Sequence, residues 1–225
     1  MRFNDVDVIR GGTTLVNVHA VVRNTYLLLS LTLLFSAATA TYAVVSGASY
    51  GSSLLTTLLS FGLLFVISSL RNSGWGILAV FAFTGCMGYS MGPMLNHFIK
   101  GYSNGGQLIT TALAGTGLTF LLSSAYLFVT KKDLSGMGKF LMIGLVMCIV
   151  AGLANFFLKM PAMQLAISTM LVFISTLLMM FDTSRIINGG ETNYLMATVS
   201  LFIDILMLFQ NLLYLLGAFT GNSRD

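Results

Sequence analysis

The chain has 225 residues, of which 56% are apolar and 8% charged, and its net charge of +4 comes from 11 basic residues scattered along its length. A soluble domain carries about 25% charged residues. A chain this poor in charge cannot cover a water-facing surface, so its solvent is lipid. The scattered positive charge excludes a nucleic-acid-binding patch, and no segment has room for a soluble catalytic domain. No cofactor is expected.

Residues 1–24 begin polar, with Asp5 and Asp7, and read as a cytoplasmic amino-terminal tail. Within it Leu15, Val18 and Val22 fall at helical spacing, a pattern that fits a helix along the membrane surface. The run from Tyr26 to Val45 is longer than the roughly 7–15 apolar residues of a signal-peptide core. Ala38-Thr39-Ala40 therefore reads as helix rather than cleavage site. At 1.5 Å per residue, about 20 apolar residues cross the hydrocarbon. That rule predicts spans near 25–46, 52–70, 76–99, 107–130, 139–159, 162–186 and 193–219. The breaks are Gly47, Asn72-Ser73-Gly74, Asn104-Gly105-Gly106, Pro161 and Gly189-Gly190. The fifth and sixth spans are divided only by Lys159-Met160-Pro161, yet 139–186 is too long for one crossing. The expected fold is thus all-α and integral to the membrane, with seven transmembrane helices over 25–219 and a short carboxyl tail, 220–225.

Seven crossings place Arg2, Arg10, Arg23, Arg71, Lys131, Lys132, Lys139 and Arg185 on one side, against Lys100, Lys159 and Arg224 on the other. Basic residues collect on the cytoplasmic side, so the amino end is expected inside and the carboxyl end outside.

Charged side chains within spans are costly and mark functional sites. Two stand out: Asp182 near the cytoplasmic end of the sixth span and Asp204 well inside the seventh. Ser168, Ser175 and Asp182 recur every seven residues on one helical face. Asn193, Ala197, Ser200, Asp204 and Asn211 form a second small or polar stripe. The two stripes are expected to face each other across a polar interior, with Asp204 about one to two turns deeper than Asp182. Two carboxylates meeting there cannot both ionise cheaply, and would titrate as a unit in the manner of a proton sensor. They could also attract calcium, although calcium prefers about 6–8 oxygen ligands, so such a site is weak and fitted to passage. Arg71, at the cytoplasmic end of the second span, is the expected counter-ion and latch. The plainer alternative is that Asp182 caps a loop and Asp204 bonds a neighbouring helix.

Several motifs imitate chemistry. Gly88-Tyr89-Ser90-Met91-Gly92 spells the hydrolase nucleophile elbow, but that elbow needs a strand-to-helix turn. His97 lies seven residues on, about 10 Å along the helix and out of reach. Gly88 and Gly92 instead make the G-x-x-x-G close-packing pattern. Neither aspartate has the glycine-rich context of an intramembrane aspartyl protease. Cys86 and Cys148 sit in apolar runs as small hydrophobes, and His19 and His97 lack metal-ligand company.

In order along the chain, Arg23-Asn24-Thr25-Tyr26, Phe83-Thr84-Gly85, Gly88 to Pro93, Ser124-Ala125-Tyr126, Lys132-Asp133-Leu134-Ser135 and Gly189-Gly190-Glu191-Thr192-Asn193-Tyr194 running into Ala197-Thr198-Val199-Ser200-Leu201 compose a pattern. The chain resembles the Bax inhibitor-1 family, and within it the bacterial YccA branch. The resemblance implies six helices surrounding the last. It implies a di-aspartyl, pH-responsive calcium leak in some members, which maps onto Asp182 and Asp204, with an arginine latch at Arg71. For the branch it implies a multi-pass protein of the bacterial plasma membrane that restrains FtsH, a membrane-anchored ATP-dependent protease gripping a cytoplasmic tail. Here that tail would be residues 1–24, including Met1, Arg2, Phe3 and Arg10.

Overall fold

A computed structural model of the chain describes the backbone of residues 4–222 and side chains from Val18 onward. Among these residues the structure is all helical: α1 (Asn4–Val45), α2 (Tyr50–Leu70), α3 (Trp75–Ser90), α4 (Gly92–Gly101), α5 (Gly105–Thr130), α6 (Gly138–Leu158), α7 (Pro161–Ile187) and α8 (Tyr194–Thr220). Seven segments are long and apolar enough to cross a membrane: Val18–Val45, Tyr50–Leu70, Trp75–Gly101, Gly105–Thr130, Ser135–Leu158, Pro161–Ile187 and Tyr194–Thr220. The seven expected spans are all present.

Two details differ from expectation. Val18–Asn24 is not a separate surface helix but continues directly into the first crossing. The third span is two helices, broken at Met91 between α3 and α4. Pro93 sits in the first turn of α4, where its missing N–H costs nothing. Ser53 Oγ of α2 donates to the Ser90 carbonyl freed by the break. Such capture by a side chain is how a membrane helix tolerates an interruption.

The narrow divide at Lys159-Met160-Pro161 is a pinned hairpin. Lys159 closes α6 in a left-handed conformation at φ 52°. Asn155 Oδ1 accepts the Met160 N–H at 3.0 Å, and Asn155 Nδ2 donates to Gln164 Oε1 at 2.9 Å.

The last helix is the centre. α8 packs against α1, α2, α3, α5 and α7, and Leu195, Leu201, Phe202, Leu208 and Leu213 along it are fully buried. At the other extreme α6 packs essentially on α7, turning Phe140, Met142, Ile143, Met147, Leu153, Phe156 and Phe157 outward. Exposed apolar side chains here face lipid, so association rests on close packing rather than on escape from water. Gly88 and Gly92 show that packing: a Cβ on Gly88 would strike the Ser36 carbonyl and Thr39 Oγ1 of α1, and one on Gly92 would meet Ala43 Cβ at 2.6 Å. Ser90 Oγ donates to its own helix at Met87 O (2.8 Å), as a packing residue rather than a nucleophile.

The loops sort by end. Asn193 bonds Arg71, and Ser184 and Asn188 bond Lys132, which gathers the α2–α3, α5–α6 and α7–α8 connections. At the opposite end Ser103 and Asn104 bond Asn222 and Thr220, while Asn96 bonds Val44.

Candidate functional site

Asp182 lies on α7 within two turns of its end, and Asp204 lies nearly three turns into α8. Neither helix is broken near them. The two carboxyl groups nevertheless stand close enough to interact directly, with Ser200 beside Asp182. The cause is the tilt of every Cα–Cβ bond toward its own helix N-terminus. In antiparallel helices, Asp182 leans into the bundle and Asp204 leans toward the loop end. Both lean toward the same point, which closes the one-to-two-turn difference in depth.

Asp204 is buried at 5% exposure, and its Oδ2 has no hydrogen-bond partner. A buried polar atom without a partner costs about 1–3 kcal/mol. Two carboxyls facing each other, with the Ser200 hydroxyl alongside, can hold a proton or a passing cation between them. Among the described residues no group of three His, Cys, Asp or Glu side chains comes together. Any calcium at the two aspartates would therefore draw most of its usual oxygen ligands from elsewhere.

The cation at this site is Arg185, one turn beyond Asp182. Its Nη1 stands 3.7 Å from Asp182 Oδ1 and its Nη2 3.5 Å from Glu191 Oε2, while its Cζ lies 5.6 Å from the Phe181 ring centroid. The guanidinium is shared between two carboxylates at long distances rather than locked onto one. Arg71 does not occupy this position. Its side chain is exposed, and its contribution is the backbone carbonyl, which accepts from Asn193 Nδ2 at 2.7 Å.

Asn193 is likewise a cap rather than a lining of the polar interior. Its Oδ1 accepts the N–H groups of Leu195 (3.0 Å) and Met196 (3.2 Å), starting α8, while Glu191 Oε1 accepts the Asn193 N–H at 3.0 Å. One side chain thus fixes the start of the central helix and ties it to the α2–α3 turn. Asn193→Ala is expected to lose both roles, destabilising the protein by about 1–2 kcal/mol for the cap alone. Asn193→Asp should keep the cap and lose the bonds of Nδ2 to the Arg71 carbonyl and Asn72 Oδ1. Thermal unfolding in detergent checks the order: wild type highest, Asp next, Ala lowest.

Ser175 is fully buried, and its Oγ donates to Leu171 O at 2.6 Å on its own helix. Asn211 Nδ2 donates to Met207 O at 2.8 Å, again on its own helix, seven residues beyond Asp204. Ser175 and Asn211 therefore spend these hydrogen bonds on their own helices, whereas Ser200 lies beside Asp182. Met1, Arg2 and Phe3 lie outside the described residues, as does the side chain of Arg10. Neither polar stripe marks Arg185 or Glu191 as part of the site. The three-residue step from Asp182 to Arg185, a helix-face spacing, was the signal available.

Residues 18–221 match the family described as Inhibitor of apoptosis-promoting Bax1. A protein of Escherichia coli K12 named Modulator of FtsH protease YccA is 45% identical over 205 residues, covering 91% of this chain and 93% of that one. Its counterpart in Escherichia coli O6:H1, at the same identity and coverage, is named an inner membrane protein. An uncharacterised membrane protein of Vibrio cholerae is 44% identical over 203 residues, 90% of this chain and 91% of its own. With seven crossings, a central last helix and a family match over nearly its whole length, the chain belongs to the Bax inhibitor-1 family and is similar to its YccA members.

Proposed function

We propose that this protein resides in the bacterial inner membrane, amino end in the cytoplasm and carboxyl end outside, and restrains an FtsH-type protease by direct association. The observation that carries this reading is the 45% identity, over nine-tenths of both chains, to a protein named a modulator of that protease. The placement of eight of the 11 basic residues with the amino end supports the orientation. The segment ahead of Val18 is the part offered to the protease. The test is co-purification from mild detergent, with a deletion of residues 1–17 alongside. The protease is expected to accompany the full chain, and the deletion is expected to lengthen the protein's half-life in cells. A pull-down free of protease, with an unaltered half-life, would overturn the proposal.

A second reading rests on a different observation, the facing pair Asp182 and Asp204 with Ser200 beside them. The pair would serve as a proton-responsive gate for a calcium leak, with Arg185 as its mobile counter-ion. Both activities can reside in one molecule.

A further inference from the structure

Between α6 and α7 runs a groove of about 670 Å³, lined by Lys139, Met142 and Ile143 on one bank and Leu178, Asp182 and Arg185 on the other. The helices touch beside it, where the Phe181 ring abuts Gly138: a Cβ added to that glycine would lie 2.8 Å from Phe181 Cζ. The same ring lies 5.6 Å from the Arg185 guanidinium carbon. One aromatic side chain thus sets the spacing of the banks that carry Lys139 and Arg185. Both cations stand at the end of the bundle where the α5–α6 and α7–α8 connections gather. Counting along the helices, Ile143 lies about 6 Å below Lys139, and Leu178 about 10 Å below Arg185. Met142 and Ile143 are 58% and 62% exposed, so the apolar lower part opens sideways into lipid.

Arg185 is not used up by its neighbours. Its side chain is 37% exposed. Among the described residues its five N–H donors make one hydrogen bond, to Glu191 Oε2 at 3.5 Å. The approach to Asp182 Oδ1 is 3.7 Å, whereas charge-assisted bonds ordinarily close to about 2.7–2.9 Å. Lys139 is exposed, and among the described residues no carboxylate pairs with it. Snorkelling toward water accounts for Lys139 alone. It does not account for a partly buried guanidinium that keeps most of its donors unused at the head of an apolar trough.

Charge and polarity together select the occupant. Two cations above an apolar trough match a molecule with an anionic head and a hydrocarbon tail, and basic pockets between transmembrane helices hold anionic lipid headgroups. A zwitterionic lipid would bring its own cation to Lys139 and Arg185. A free phosphate would leave the trough below them empty. Asp182 sits one turn deeper than Arg185 on the same bank, so the phosphate belongs level with the two cations. We propose that the α6–α7 groove binds one anionic phospholipid, with its phosphate on Lys139 and Arg185 and an acyl chain along Met142, Ile143 and Leu178. The phosphate competes with Asp182 and Glu191 for one guanidinium, so the lipid and the facing aspartates share a cation.

Native mass spectrometry of the full chain, titrated in detergent with one lipid at a time, gives an apparent Kd for each. Dioleoyl phosphatidylglycerol is expected to bind about 10- to 30-fold tighter than dioleoyl phosphatidylethanolamine. Lys139→Gln, an exposed replacement that leaves the fold intact, is expected to weaken phosphatidylglycerol about 5-fold, and Arg185→Gln at least as much. Lys131→Gln removes the same charge at the same end but outside the groove, and should change nothing. Glu191→Gln withdraws a competitor while its amide oxygen can still accept the Asn193 N–H, and should tighten binding by about 2- to 5-fold. Asp133→Asn, the same charge change away from the groove, should not. Glycerol 3-phosphate, the head without the tails, is expected not to displace the lipid. Four outcomes would overturn the proposal: equal affinity for the two lipids, Lys139→Gln indistinguishable from Lys131→Gln, displacement by glycerol 3-phosphate, or a dimer of the chain that takes the lipid's place.

Discussion

Asp204→Asn is expected to raise the melting temperature at neutral pH and, on the proposed calcium-leak reading, to abolish pH-dependent calcium flux into dye-loaded liposomes. Asp204 is buried with an orphan Oδ2 and faces a second carboxyl. An asparagine there supplies an N–H toward Asp182 permanently, where the native pair must borrow a proton. The gain should be about 1–3 kcal/mol, the cost of the unsatisfied group it removes. The loss of flux follows because the amide can neither release that proton nor contribute charge to a passing cation. Stability and activity would move in opposite directions, the usual mark of a strained functional site. Asp182→Asn should behave differently, because it also frees Arg185 to Glu191 alone and leaves Asp204 as a lone buried carboxyl. A variant Asp204→Asn that melts below wild type and still passes calcium with the same pH dependence would remove the site from the mechanism.

The second large effect is steric. Gly88→Ala adds one methyl where the Ser36 carbonyl and the Thr39 hydroxyl already stand, with Ser36 Oγ 2.7 Å away. Part of the obstruction is backbone, which cannot rotate aside, so α1 and α3 must separate. Overpacking costs about 1–3 kcal/mol, and here the upper end is expected, seen as a lowered melting temperature and loss of a monodisperse peak in detergent. Gly62→Ala is the matched control. A Cβ there meets nothing within 4 Å, and replacing a mid-helix glycine should be neutral or stabilising by up to about 0.5–1 kcal/mol. Equal behaviour of the two variants would show that the α1–α3 contact is looser than described.

The crossings were legible because they answer to a single quantity, apolar length at 1.5 Å per residue. Even the brief divide at Lys159-Met160-Pro161 could be read, since lipid thickness forbids a longer crossing. The break at Met91 was not legible. Apolar residues flank it on both sides, and a proline in the first turn of a new helix looks like one tolerated within an old one. The inward-facing pair was half legible. Seven-residue spacing gave the stripes, but depth alone argued against contact, and only the opposed tilt of side chains on antiparallel helices brings Asp182 to Asp204. Arg71 reads as the counter-ion because it lies at the correct membrane depth. Depth does not fix azimuth around the bundle, and Arg185, on the same helix face as Asp182, holds the position.

The helix at the centre of the bundle is also translated after the helices that surround it. The ribosome delivers six hydrophobic segments to the membrane before the one that Phe83, Leu29 and Met179 are built to touch. Until residues 194–220 are inserted, those segments have only each other and lipid to hold them, and Asp182 lacks its facing carboxyl. Assembly is thus withheld until the seventh crossing has followed the other six, and a chain stalled before it lacks its whole interior rather than one peripheral element.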